Sequence, residues 1–474
     1  MATNSRQTII KALPIVQMAA EGKCIARYDG KVIFVKGVAP GDVADIRIIK
    51  KKKQYLEGIP VAFHQFSEAR VEPFCQHFGE CGGCQWQHVP YTMQVAHKQQ
   101  QVADSLERIA KVKLPTIRPI LAAENTQYYR NKLEFTFSTD RWLTQEEIDS
   151  GKAWDKNALG FHKPQSFHKV LPIQHCYLQP GPSNAIRLAI DKYAKENGLR
   201  YYDIKNHEGL LRTLVIRTSN TGEVMVIVQF GGDAQANETR PVVEDLLNFV
   251  QNSFPEITSL HYVINPKKND TFSDLDVHLH AGKPYIVEKM EALSFRIGPK
   301  SFFQTNAQQA YALYNTARDF AQLKGSEIVY DLYTGTGTIA NFIAKNAKKV
   351  IGIEYVPESI EDAKVNAKIN GITNTKFFAG DIKETLQSDF TNLHGSPDVI
   401  ITDPPRSGMH PDVVKTLLYL APQKIVYVSC NPATQARDIA ILDEKYQVEK
   451  VQPIDMFPHT HHVENVVLLR LKVI

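Results

Sequence analysis

Between residues 8 and 60, apolar positions come in short runs that alternate with polar ones, the period of half-buried strands rather than of helices. Val32-Ile33-Phe34-Val35 is one such run and 43–49 is another, with Ala39-Pro40-Gly41-Asp42 as the turn between them. Several short strands within 1–66 predict a small β-barrel of the oligonucleotide-binding kind. Residues 73–88 (PFCQHFGECGGCQWQH) break the pattern as a glycine- and cysteine-rich loop. Beyond it 91–112 has helical period, with Val95, Val102, Leu106 and Ile109 on one face, and Pro115 and Pro119 close the segment. This helical region, 91–125 at its widest, is expected to pack on the C-terminal domain. Strand-like stretches at 133–138, 214–218 and 224–230 mix with helical ones, so 67–297 reads as a central α+β domain. From about Ser301 the period changes again. Apolar runs Ile328-Val329-Tyr330, Val350-Ile351-Gly352-Ile353, Val399-Ile400-Ile401 and Ile425-Val426-Tyr427-Val428 are separated by helix-like stretches. That pattern predicts a parallel, doubly wound sheet over 298–474. The fold class is multidomain α/β.

Composition adds little to this until charge is mapped along the chain. Hydrophobic residues at 43% and charged residues at 22% are those of a globular protein, and no apolar run reaches 18 residues. The stretch 9–20 is interrupted by Lys11 and Pro14 and lacks a small-residue cleavage site, so a cytoplasmic protein that stays off membranes is expected. The net charge is only +4, yet residues 1–60 carry eleven Lys and Arg against five Asp and Glu. A basic module on a near-neutral body points to a polyanion partner, unless Lys50 to Lys53 are merely a solvated loop.

In parallel sheets ligands bind at the carboxyl ends of the strands. The first such end reads Asp331-Leu332-Tyr333-Thr334-Gly335-Thr336-Gly337-Thr338, where Gly335 and Gly337 allow a tight turn and close approach of a ligand. Glu354 ends the next strand, where a carboxylate can accept from ribose hydroxyls. A dinucleotide fold would share these features, but Ala340 stands where its third glycine belongs. The third strand ends in Asp403-Pro404-Pro405, an acidic-Pro-Pro turn of the kind methyltransferases carry. S-adenosylmethionine is therefore favoured over NAD.

Cys430 ends the fourth strand, and Glu464 precedes a last apolar run. A thiolate at such a site can add to carbon 6 of a pyrimidine, converting the ring to an enolate whose carbon 5 attacks a sulfonium methyl. A base must then remove the carbon-5 proton before the cysteine leaves. A free thiol is only a few per cent ionised at neutral pH, so the site must assist. The alternatives are a buried structural cysteine and a surface glutamate.

The elements SFFQTN (301–306), DLYTGTGT (331–338), DPPRSG (403–408), YVSCNPAT (427–434) and HTHHVENV (459–466) resemble those of the RNA uracil-5-methyltransferase family across essentially the whole chain. The N-terminal barrel resembles a TRAM domain, and 298–474 a Rossmann-like class I methyltransferase domain. The resemblance implies Cys430 as nucleophile and Glu464 as base. It also implies Gln304, Tyr333, Glu354 and Asp403 around the methyl donor, with Asp403 also near the target base. Thr338 stands where relatives often have Asn. Related cytosine-5 RNA methylases carry a second cysteine after the Pro-Pro turn, whereas here the position is Arg406. Methylases of exocyclic amines usually carry an aromatic residue there. The target ring is read as uracil.

Cys75, Cys81 and Cys84, with Cys176 ninety-two residues on, offer four thiolates for a cubane iron–sulfur cluster or a tetrahedral zinc. The resemblance favours a [4Fe-4S] cluster through FGECGGCQWQH and HCYL. Cys24 is expected in the barrel core. Reaching uracil inside folded RNA requires the base to be flipped out, and Tyr128-Tyr129-Arg130-Asn131-Lys132 mixes aromatic and basic residues suited to single-stranded RNA. Phe302 and Phe303 are candidates for stacking or for the core. Family members with both barrel and cysteine set typically act on large-subunit ribosomal RNA, so 23S ribosomal RNA is the expected partner of a monomeric enzyme. The alternatives are the same reaction on transfer RNA and a non-catalytic RNA-binding or ribosome-assembly factor.

Overall fold

A computed structural model describes residues 8–473. Five strands close into the N-terminal barrel: β1 (Ile9–Met18), β2 (Cys24–Tyr28), β3 (Lys31–Val35), β4 (Val43–Lys51) and β5 (Tyr55–Gln65), in the order β1-β2-β3-β5-β4. Closure removes both sheet edges. The alternating residues Ile33, Val35, Ala44 and Ile46 fill the interior, and Cys24 is buried there with its thiol on Val38 O at 3.2 Å. The barrel core is completed from outside: Trp86 and Val89, from the end of the cysteine-rich loop, pack into it.

The middle sheet has seven strands, β6 (Lys132–Ser138), β7 (Ala158–Lys163), β8 (Ser166–Pro172), β9 (Leu211–Thr218), β10 (Val224–Gly231), β11 (Ile257–Asn265) and β12 (His278–Gly282), in the order β12-β11-β10-β9-β6-β7-β8. Every residue of β9 and β10 is buried, because both faces are covered. Leu214, Ile216, Val226 and Val228 face the helices Ser183–Glu196 and Arg240–Ser253, which supply Ile186, Ile190, Leu246 and Val250. Val215, Met225 and Ile227 face the other way, into one core shared with Phe295, Leu313, Val329 and Val428. This core runs through the hairpin β13 (Ile286–Met290) and β14 (Leu293–Ile297) and across the 297/298 boundary drawn from the sequence.

The C-terminal sheet comprises β15 (Ile328–Leu332), β16 (Lys349–Glu354), β17 (Thr375–Ala379), β18 (Val399–Thr402), β19 (Lys424–Ser429), β20 (Tyr446–Ile454) and β21 (Glu464–Leu471), in the order β17-β16-β15-β18-β19-β21-β20. Strand β21 runs antiparallel to both neighbours, and β17 through β19 are mutually parallel. The order reverses between β15 and β18, which puts a crevice at their carboxyl ends. The predicted 91–125 helix is shorter: Tyr91–Ser105 continues as a wider turn to Ala110, and Lys111 takes φ 56°. Prolines 115 and 119 keep the following segment extended, and it runs beside β20, with Arg118 N donating to Val451 O at 3.1 Å. Val102 and Leu106 join the core under the C-terminal sheet, whereas Ile109 is exposed. Gln94 and Lys98 are instead fully buried, because Lys98 pairs with buried Asp455 at 2.6 Å. No helix among the described residues is long and apolar enough to cross a membrane.

Candidate active site

Register alone brings the two chemical groups together. Ser429 pairs with Asn465 in the antiparallel β19–β21 ladder, so Cys430 and Glu464 stand opposite each other one step further on. Asp403 follows β18, the neighbour of β19, with Thr402 level with Tyr427. Cys430 is half-buried and Glu464 is buried. The Asn431 side chain accepts from Ala433 N at 3.2 Å, capping the helix Pro432–Leu442, and donates to Arg406 O at 3.0 Å. The loop bearing the cysteine is thus tied to the Asp-Pro-Pro-Arg turn.

Three acidic groups share this corner, and their fields decide its proton chemistry. Burial pushes Asp403 up to about 7. Burial, and then the charge of Asp403, push Glu464 up to about 8, with Arg406 pulling the other way. Cys430 is pushed up to about 11 by burial, then by Glu464 and Asp403, with Arg406 again opposing. Arg406, read from the sequence only as a missing cysteine, is therefore the cation that favours both anions. Its guanidinium also lies 3.5 Å from the His461 ring. Tyr314, which no motif had marked, is buried beside Gln304 and in the field of Asp403, Asp331 and Glu464.

The cofactor end is held by the first two strands. Glu354 Oε2 accepts from Gly335 N at 3.2 Å and Oε1 from Val356 N at 3.0 Å, so the carboxylate staples the glycine turn to its own strand end. Gly337 has φ 72°, and a β-carbon there would lie 2.7 Å from Ala363 Cβ and 3.0 Å from the Phe377 ring, so only glycine fits. Tyr333 itself takes φ 62°. Its hydroxyl is pushed up to about 12 by burial, then by Asp381, Asp438 and Glu354. Asp381, just beyond β17, thus joins the crevice. It was missed because Thr375–Ala379 carries too few apolar residues to read as a strand. Thr338 turns inward to Thr336 at 3.2 Å. Tyr333, Gly335 and Gly337 follow β15, Glu354 ends β16 and Asp403 follows β18, so these five stand at the carboxyl ends of neighbouring strands, and the Gln304 backbone is tied to Asn131.

Of the basic-aromatic stretch 128–132 only Tyr128 offers an open ring. Tyr129 is buried with its hydroxyl on Pro458 O at 2.9 Å, Arg130 stacks on Phe457, and Asn131 donates to Gln304 O at 3.0 Å. Those three build the wall of the site. Phe303 is buried, whereas Phe302 is 66% exposed beside the crevice.

Cys75, Cys81, Cys84 and Cys176 converge on a second, apolar cavity, lined also by Phe161, Ile173 and Leu178. Burial pushes Cys81 up to about 12 and Cys84 to about 11, and the neighbouring thiols add to the shift. Backbone N–H groups point at the sulfurs, Gly83 N reaching Cys81 Sγ at 3.4 Å. Among the described residues no three His, Cys, Asp or Glu side chains lie close enough to share a single ion.

Comparison with known proteins bears on the family and the fold. A family profile described as tRNA (Uracil-5-)-methyltransferase matches residues 282–472, and a TRAM domain profile matches 17–61. An uncharacterized RNA methyltransferase of Bacteroides thetaiotaomicron is 58% identical over 456 residues, covering 96% of this chain and 100% of its own. One from Porphyromonas gingivalis is 54% identical over 465 residues, covering 96% and 99%. Among solved structures, the Pyrococcus abyssi tRNA (uracil-54, C5)-methyltransferase in complex with S-adenosyl-L-homocysteine superposes with a TM-score of 0.74 at 26% identity, covering 96% of this chain and 100% of that one.

Proposed function

Since the chain belongs to the S-adenosylmethionine-dependent RNA uracil-5-methyltransferases and carries their TRAM domain, we propose that it methylates carbon 5 of a uridine in 23S ribosomal RNA through a covalent Cys430 adduct. The observation that carries this reading is the juxtaposition of Cys430 and Glu464 at adjoining strand ends, beside Asp403. Cys430 Sγ adds to carbon 6 of a flipped-out uracil, and carbon 5 takes the sulfonium methyl. Glu464 then accepts the carbon-5 proton, the C–H electron pair forms the C5–C6 double bond, and Cys430 leaves as thiolate. A carboxylate raised to about 8 is a base matched to neutral pH. A thiol at about 11 needs positive charge to ionise, and Arg406 supplies part of it; the sulfonium of the bound donor adds more. Gln304, Tyr333, Glu354 and Asp403 hold the donor, with Gly335 and Gly337 shaping its turn.

The four-cysteine cavity fits a bound [4Fe-4S] cluster: four thiols in apolar surroundings, with N–H groups directed at sulfur. When bound, the cluster would cross-link the loop 75–84 to Cys176. We read the protein as a cytoplasmic monomer.

A second reading, the same reaction on transfer RNA, is favoured by the Pyrococcus abyssi enzyme, whose fold follows this chain over nearly its full length. Incubation with labelled S-adenosylmethionine and separate RNA pools decides. Label is expected in 23S ribosomal RNA; label only in transfer RNA replaces the first reading by the second, and label in neither pool rejects the enzymatic reading. Glu464→Gln is expected to trap an RNA adduct that Cys430→Ala cannot form. Iron and sulfide after anaerobic purification are expected in cluster stoichiometry, and zinc without iron would reject the cluster.

A further inference from the structure

The segment before Glu464 is a nine-residue loop between β20 and β21, closed by the pair Ile454 and Glu464. At its middle His459 takes φ 62°, a left-handed conformation uncommon for residues other than glycine. Its surroundings come from elsewhere in the chain. Gln94 Oε1 accepts from His459 N at 2.9 Å, and Gln94 Nε2 lies 3.2 Å from the His459 ring. The same Nε2 donates to Trp86 O at 3.0 Å and Val89 O at 2.8 Å. In return Gln85 N and Trp86 N donate to His459 O at 2.8 and 3.2 Å. Gln94 is fully buried, and its amide is engaged at both the oxygen and the nitrogen, which demands an explanation.

We propose that Gln94 is a positioning residue for the base, clasping His459 to the backbone that follows Cys84 and thereby fixing the direction of Glu464. This rests on Glu464 as the base. It gives the cysteine-bearing loop a task in the methylation site, because Gln85 and Trp86, immediately after Cys84, form half of the clasp. Elimination is the step most directly exposed to it: Glu464 must take the carbon-5 proton while the bond from carbon 6 to Sγ breaks, whereas addition of Cys430 meets this loop only indirectly, through the contact of His461 with Arg406. A misplacement of about 1 Å in a catalytic group can slow its step about 100-fold.

The test compares Gln94→Ala with the wild type and Glu464→Gln, using the unmodified RNA transcript that accepts label. In single turnover, adduct formation is expected to stay within about threefold while adduct decay slows about 10- to 100-fold, so a denaturation-resistant RNA–protein species accumulates. In the RNA-free protein, amide exchange over 455–464 is expected to quicken at least about tenfold, with β15 and β16 unchanged. Slower turnover without accumulated adduct, or unchanged exchange over 455–464, overturns the proposal. If Glu464→Gln accumulates no adduct, the base assignment fails, and the exchange measurement alone decides the clasp. Should Gln94→Ala not fold, Gln94→Glu keeps the acceptor, loses both donors, and is judged by the same two results.

Discussion

Replacing Glu464 with Gln should stabilise the protein, and by an amount that depends on pH. The side chain is 5% exposed beside Asp403. Its carboxyl titrates near 8 in the folded chain against 4.5 as the ordinary value. Because the folded value is the higher one, the fold prefers the protonated form. The resulting penalty is absent below the unfolded value, grows as pH rises, and is complete above about 8. At about 1.36 kcal/mol per unit the full penalty is ~5 kcal/mol, of which ~3 kcal/mol is present at pH 7. Gln carries no charge at any pH and escapes it. Asp403 titrates in both proteins and cancels to first order. With an unfolding entropy of about 2.1 cal/mol/K per residue, a chain of this length melting as one unit shifts ~1 °C per kcal/mol, and a smaller cooperative unit shifts more. Thermal melts of Glu464→Gln against wild type should therefore show almost no difference at pH 4.5, a gain of ~3 °C at pH 7 and ~5 °C at pH 8.5. A difference that stays flat from pH 5 to 8.5, or a wild type that melts higher at pH 8.5, would refute the reasoning.

Three further outcomes follow from single contacts. Arg406→Gln removes the cation that opposes the upward shifts of Cys430 and Glu464; alkylation of Cys430 by iodoacetamide at pH 9 should slow several-fold, and an unchanged rate would remove Arg406 from the electrostatics of the site. Gly337→Ala forces a β-carbon to within 2.7 Å of Ala363 Cβ at φ 72°, whereas Gly335→Ala at φ 55° meets nothing within 4 Å. Urea denaturation should show the first costing ~2–4 kcal/mol and the second ~1 kcal/mol, and equal losses would contradict the packing described. Lys98→Met strands the buried Asp455 carboxylate and should cost about 3–5 kcal/mol; the double variant Lys98→Met with Asp455→Leu should recover part of that loss.

The parallel sheet was legible because its inner strands are buried on both faces, so Val350 to Ile353 and Ile425 to Val428 read as unbroken apolar runs. Edge strand β17, which opens on the polar pair Thr375 and Lys376, gave no such signal, and Asp381 was lost with it. The same limit applied to the helix after the cysteine loop. Its apolar period located the helix, but its orientation was set by Lys98 reaching Asp455 and Gln94 reaching His459, partners more than 350 residues away. In the stretch 128–132 the sequence showed a basic-aromatic composition, and the fold turned Tyr129, Arg130 and Asn131 into wall.

By itself the sequence determined the three kinds of unit, the glycine turn and the residue types at the strand ends, because period and local backbone demands are written in neighbouring positions. It also brought Cys430 and Glu464 to attention, chiefly through the resemblance of their motifs. Only the tertiary structure decided that they face each other, since that depends on β21 entering antiparallel beside β19. Only burial decided that Glu464 is a carboxyl raised toward neutrality rather than an ordinary surface carboxylate. Proton affinity is a property of the surroundings, and those are assembled from residues that the chain keeps far apart.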